Sequence, residues 1–294
     1  MNFLRELIFD YTLRNIALGS MILGVVSGVL GCFAVLRKEG LVGDALSHAA
    51  LPGVCLAYML TGEKTPIVLM LGAALSGWTG LWLILRLLES TRMDRGSALA
   101  LILTSYFGLG VVLLTVIQKR NDANQAGLDK FLFGQAASLV TDQVVTMAIL
   151  GAGCLAVVAL LFKEFKLISF DPEFAITLGL PANRLSGGLT ALLLVAIVVG
   201  LNTVGVILMS AMLVAPAAAA RQWTDSLPKM VAISASFGAG AGLIGAGLSV
   251  TQASVPTGPA IILVLALVVF VSLLFGTRNG WWWQRGRTKV VVAP

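Results

Sequence analysis

A succession of apolar stretches, each close to the length of a membrane-crossing helix, constrains this 294-residue chain more than any other feature. A hydrocarbon layer about 30 Å thick takes about 20 apolar residues at 1.5 Å per residue. Such stretches are read at 15–36, 42–61, 66–88, 97–117, 142–162, 184–202, 204–220, 229–249 and 258–276. The chain is 58% hydrophobic and only 12% charged, where a soluble domain carries about 25% charged residues. The runs are continuous and do not alternate, which argues against a β-barrel. The fold class is therefore all-α: a polytopic membrane bundle of about eight or nine transmembrane helices. Its 32 glycines suit close helix approach.

Residues 1–294 read as one transmembrane domain. A short interfacial helix over 1–14 leads in, because Arg5, Glu6, Asp10 and Arg14 leave no clean apolar core for a cleavable signal. Phe131 to Gln135 is apolar but too short to cross, and reads as a re-entrant or interfacial piece. A basic tail follows at 277–294, with Trp281, Trp282 and Trp283 suited to an aromatic belt. Placing the loops 37–41, 86–96, 163–184 and 221–229 and the tail on the cytoplasmic side puts 14 of the 20 Lys and Arg there. That bias favours an outside N-terminus and a cytoplasmic C-terminus. It also accounts for the net charge of +6 without nucleic acid, since no basic stripe interleaved with aromatics is present. Cys32, Cys55 and Cys154 lie far apart inside apolar runs and read as small buried residues.

Ionisable groups inside such runs are costly and point to function. The single histidine, His48, follows Asp44 by four residues, so both project from one helix face. Imidazole and carboxylate together suit manganese, zinc or iron(II). Two ligands do not complete a site, and a two-fold dimer would supply the rest. A structural hydrogen-bonded pair and a proton relay are the alternatives. Along the second span, Asp44 falls about three residues in, roughly 5 Å from the cytoplasmic end.

The 163–184 loop holds Asp171-Pro172-Glu173, which reads as a helix start with Asp171 as cap and proline in the first turn. Gly179 and Pro181 end it. Phe170, Phe174 and Leu178 recur at a spacing of four and form an apolar knob, for a partner protein or for the membrane surface. Between 203 and 220, Pro216 frees a backbone carbonyl, while Met209 and Met212 read as packing rather than as soft ligands. No Gly-x-x-x-x-Gly-Lys-Ser/Thr loop and no cytoplasmic segment of nucleotide-binding size is present, so ATP-driven work would need another chain.

Taken together, Gly43-Asp44-Ala45-Leu46-Ser47-His48-Ala49 with Leu51-Pro52-Gly53, Leu132-Phe133-Gly134, Phe170-Asp171-Pro172-Glu173-Phe174-Ala175 with Gly179, and Val204 to Leu208 running to Ala215-Pro216-Ala217 resemble the permease subunit of bacterial zinc, manganese and iron ABC importers. The resemblance covers nearly the whole chain. It implies a permease dimer in the inner membrane, two cytoplasmic ATP-binding subunits, and an extracytoplasmic metal-loading solute-binding protein. The second permease is the same chain or a paralogue. Asp44 and His48 fall on the family's metal ligands. Asp171, Pro172, Glu173, Phe174 and Gly179 fall on its coupling helix. No permanently bound cofactor and no enzymatic activity are implied, only a transported divalent metal moved by alternating access. The rival reading is an ion-coupled secondary transporter, which the near absence of other charges in the spans disfavours.

Overall fold

The structure, a computed structural model, describes residues 11–62, 65–119, 139–201, 205–251, 256–278 and 281. They form eleven helices and, among the described residues, no strand. These are α1 (Tyr11–Leu36), α2 (Val42–Thr61), α3 (Pro66–Ser90), α4 (Arg95–Lys119), α5 (Thr141–Leu160), α6 (Phe162–Phe170), α7 (Pro172–Thr177), α8 (Ala182–Leu201), α9 (Val206–Arg221), α10 (Leu227–Thr251) and α11 (Thr257–Phe275). All except α6 and α7 fall on the apolar stretches read from the sequence. Seven (α1, α3, α4, α5, α8, α10 and α11) are long and apolar enough to cross a membrane. The other two are α2, diluted by Asp44, Ser47 and His48, and the 16-residue α9.

Close approach of small residues builds the centre. Along α1, Ser20, Gly24 and Gly28 recur every fourth residue and face Gly242, Gly238 and Ser234 of α10. A methyl on Gly28 would lie 2.6 Å from Ser234 O, and one on Gly24 would overlap the Gly238 carbonyl. The missing side chains let the two backbones touch, and Ser234 Oγ donates to Gly28 O at 2.7 Å. Gly53 of α2 and Gly72 of α3 make a second contact of this kind, beside which Ser76 Oγ donates to Ala49 O at 2.6 Å. Helix α1 is the hub, with 78% of its most apolar window buried, against 22% for α4. The outer helices instead turn large apolar side chains outward, among them Trp78, Trp82, Ile149 and Leu263. That inversion is what a bundle solvated by lipid requires.

The basic loops gather at one end. The antiparallel α1–α10 register sets the start of α10 beside the end of α1. Arg37 and Glu39, between α1 and α2, reach Arg95 at the start of α4 and Ser186 near the start of α8. After α11, Arg278 N donates to Gln222 O at 3.0 Å, and its side chain pairs with Asp225.

Some boundaries differ from those read in the sequence. Residues 11–14, assigned to an interfacial helix, run straight into α1, since nothing between them and the apolar run breaks the helix. The loop 163–184 holds two helices, not one: the backbone leaves helical geometry at Leu161, where α6 begins, and again at Asp171, between α6 and α7. The 131–135 piece, residues 1–10 and most of the tail lie outside the described residues.

Candidate functional site

Asp44 occupies the first turn of α2, where the partial positive charge of the helix N-terminus favours a carboxylate. One turn on, His48 Nε2 lies 3.4 Å from Asp44 Oδ1. The Asp44 side chain is 32% exposed and that of His48 13%, so the pair is screened but reachable. The imidazole stands edge-on to Phe107 of α4, with ring centroids 4.7 Å apart, which fixes its plane. His48 Nδ1 is buried without a hydrogen-bond partner among the described residues. Pro52, four residues on, has no N–H to offer the His48 carbonyl. This short stretch therefore presents a carboxylate, an imidazole and a freed carbonyl.

The depth of the pair is set by neighbours that sequence counting could not see. A methyl on Gly31 of α1 would overlap Leu213 O, and one on Gly43 of α2 would lie 3.6 Å from Ser210 Cα and 3.8 Å from Leu213 Cβ. Gly31, Leu213 and Gly43 thus share a level. Gly31 lies five residues before the end of α1 and Leu213 eight before Arg221. At 1.5 Å per residue, the start of α2 stands about 8–12 Å inside its neighbours' ends, with His48, five residues past Gly43, about 8 Å further in. The 5 Å depth read from the sequence counted only along α2 and missed that α2 itself begins inside the bundle.

Among the described residues no group of three or more His, Cys, Asp or Glu could hold a metal ion. Asp44 and His48 come together as read; among the described residues no third acidic or imidazole ligand joins them. Met209 and Met212 are fully buried, as packing requires.

At the basic end, Asp171 Oδ1 accepts from Phe174 N at 2.9 Å, capping α7, with Pro172 in its first turn. Gly179 adopts φ +79°, donating to Ile176 O at 2.9 Å, while Leu180 N donates to Ala175 O at 3.1 Å. This paired closure needs a left-handed residue, which glycine supplies. Ala175 is fully buried beneath the turn, whereas Phe170, Phe174, Ile176 and Leu178 are each at least half exposed. Phe165 of α6 is buried against Phe33 of α1, ring edge to face at 6.0 Å. The segment is thus rooted in the hub helix and presents an apolar surface outward.

A feature that sequence reading did not single out is the Arg37–Glu39–Arg95 cluster. Glu39, 6% exposed, accepts from Arg37 Nη2 at 2.9 Å and from Arg95 Nη1. Its backbone carbonyl accepts from Val42 N at 3.0 Å, at the head of α2. Arg37 Nη2 also meets Ser186 Oγ. Burial lowers the affinity of the Arg37 guanidinium for its proton. The clue in the sequence was an acid lodged in an otherwise basic loop.

A helical bundle with seven helices long and apolar enough to cross a membrane defines a multi-pass membrane protein. A family model described as the ABC 3 transport family matches residues 9–276, and the chain belongs to that family. It is 44% identical over 291 residues to the zinc transport system membrane protein TroC of Treponema pallidum, covering 99% of this chain and 98% of that protein. It is 45% identical over 262 residues to the manganese transport system membrane protein MntC of Bacillus subtilis, covering 89% of this chain and 60% of that protein. Among solved structures, PsaBC from Streptococcus pneumoniae, in complex with Fab, superposes with a TM-score of 0.83 at 29% identity, covering 96% of this chain and 98% of that one. An inward-facing metal-chelate type ABC transporter shares the fold at 15% identity and a TM-score of 0.71.

Proposed function

We propose that this chain is the membrane permease of an ATP-driven importer for a divalent transition metal: manganese, zinc or iron. The relatives named for zinc and manganese transport support the cargo class. The observation that carries the reading is the incomplete site: His48 Nε2 at 3.4 Å from Asp44 Oδ1, with Nδ1 buried and unpartnered. A second copy or a paralogue, related by a two-fold axis, contributes another Asp–His pair and brings the set to four ligands. A level about 9–20 Å inside the neighbouring helix ends suits a site near the middle of a layer about 30 Å thick.

In this reading the basic end faces the cytoplasm, as the distribution of Lys and Arg favours. Helix α7 docks on a separate ATP-binding subunit through Phe174, Ile176 and Leu178. An extracytoplasmic solute-binding protein delivers metal at the opposite end. ATP binding and hydrolysis move α7, and through α6 and α8 the bundle alternates between two openings. Imidazole and carboxylate hold the ion between those states firmly enough to select it and loosely enough to release it.

The test is metal-dependent growth and radiolabelled manganese uptake with and without the co-expressed ATPase. Uptake that requires the ATPase supports the reading. Uptake that persists without any ATPase overturns it in favour of ion-coupled transport.

A further inference from the structure

At the basic end of the bundle, one carboxylate serves two guanidinium groups. Glu39 is shared by Arg37 and Arg95, so the cluster keeps one uncompensated positive charge. The Arg37 side chain is only 8% exposed, yet its Nη1 is buried without a partner among the described residues. A buried, charged donor left unpaired is costly and marks a position that an acceptor would fill.

The three charged residues line one side of a partly open cavity of about 40 Å³. That is room for about three waters or the oxygens of one phosphate group. Among the described residues no second acid lines it. Its other wall is apolar and includes Leu85 and Leu88 of α3. Leu85 is 38% exposed, on the helix that also turns Trp78 and Trp82 outward. The lining thus offers both a guanidinium fork and a strip of leucine, of which Leu85 reaches the surface of the bundle.

We propose that this cavity binds the phosphate of an anionic phospholipid from the leaflet at the basic end. Arg37 donates to one phosphate oxygen once its side chain shifts to bring the buried Nη1 to the cavity. The Arg95 side chain, 56% exposed and held to Glu39 through Nη1, donates to another through its remaining N–H groups. An acyl chain lies along Leu85 and Leu88. Free phosphate would satisfy the arginines but leave the leucine wall uncovered, whereas a phospholipid matches both. The inference requires only that the chain sits in a membrane and does not rest on the cargo proposed above.

The test is native mass spectrometry of the purified full chain, equilibrated with micelles containing phosphatidylglycerol or phosphatidylcholine. We expect one phosphatidylglycerol per chain, retained about tenfold more than phosphatidylcholine, and retention lowered about tenfold by Arg37→Gln. Leu85→Glu, which leaves the cluster intact, lowers retention as well and decides the matter if Arg37→Gln does not fold. Equal retention of the two lipids, or unchanged retention in Leu85→Glu, overturns the proposal. A melting temperature raised as much by millimolar inorganic phosphate as by phosphatidylglycerol overturns the lipid assignment.

Discussion

His48 Nε2 lies 3.4 Å from Asp44 Oδ1, one helical turn apart at the head of α2, while His48 Nδ1 is buried without a partner among the described residues. A self-contained structural pair would satisfy both ring nitrogens. An open nitrogen, a partly exposed carboxylate and a proline that frees the His48 carbonyl together leave coordination capacity unused. His48→Ala or Asp44→Ala therefore abolishes uptake, with a loss in metal affinity of about 100-fold or more, about 2.7 kcal/mol. Expression and dimerisation stay intact. Normal transport assays in both variants would make the pair structural.

Helix α7 is short, capped at both ends and rooted by Ala175, so its exposed side chains are free to serve a partner. Phe174→Ala or Glu173→Ala lowers metal transported per ATP hydrolysed while leaving the fold unchanged. Uptake and phosphate release measured together in proteoliposomes check this. Unchanged coupling in both variants would reduce α7 to an element lying on the membrane surface.

Glu39→Gln leaves two guanidinium groups facing each other without a carboxylate, and removing one member of a buried ion pair costs about 3 kcal/mol. Arg37→Gln costs less, because Glu39 keeps Arg95. A thermal melt of the two variants should rank Glu39→Gln as the more damaging. The reverse order would mean that Glu39 is not the centre of the cluster.

At the α1–α10 crossing, Gly24→Val forces a branched side chain onto the Gly238 backbone, which overpacks the hub by about 3 kcal/mol or more. Gly240, two residues from that contact, has open space where its Cβ would stand. Gly240→Ala should stabilise by about 0.5–1 kcal/mol through helix propensity. Detergent-solubilised melting curves of the two variants distinguish contact glycines from spectators.

What the sequence discloses and what it hides follow the range of the forces involved. The apolar stretches became helices because lipid leaves no other way to satisfy a backbone across the hydrocarbon layer. The Asp171 cap and the Gly179 closure were legible because both are made within a few residues. Asp44 and His48 were legible because a helix repeats. Nothing local announces that Arg95 would reach back to Glu39, that Phe107 would stand against His48, or that Leu213 would set the depth of Gly43. Those contacts join distant helices and are set by which small residues allow backbones to meet. The separate helix α6 carries no such local signal. The chain leaves helical geometry at Leu161 with no glycine, proline or capping side chain there, and Phe162 and Phe165 of α6 pack against Phe33 of α1.

In the proposed transporter, Asp44 and His48 hold the transported metal between two permease chains. Metal content of the assembled, purified transporter tests it most directly, with His48→Ala as control. One manganese or zinc ion per pair of permease chains is expected in the native assembly and none in His48→Ala. Equal metal content in the two would contradict it.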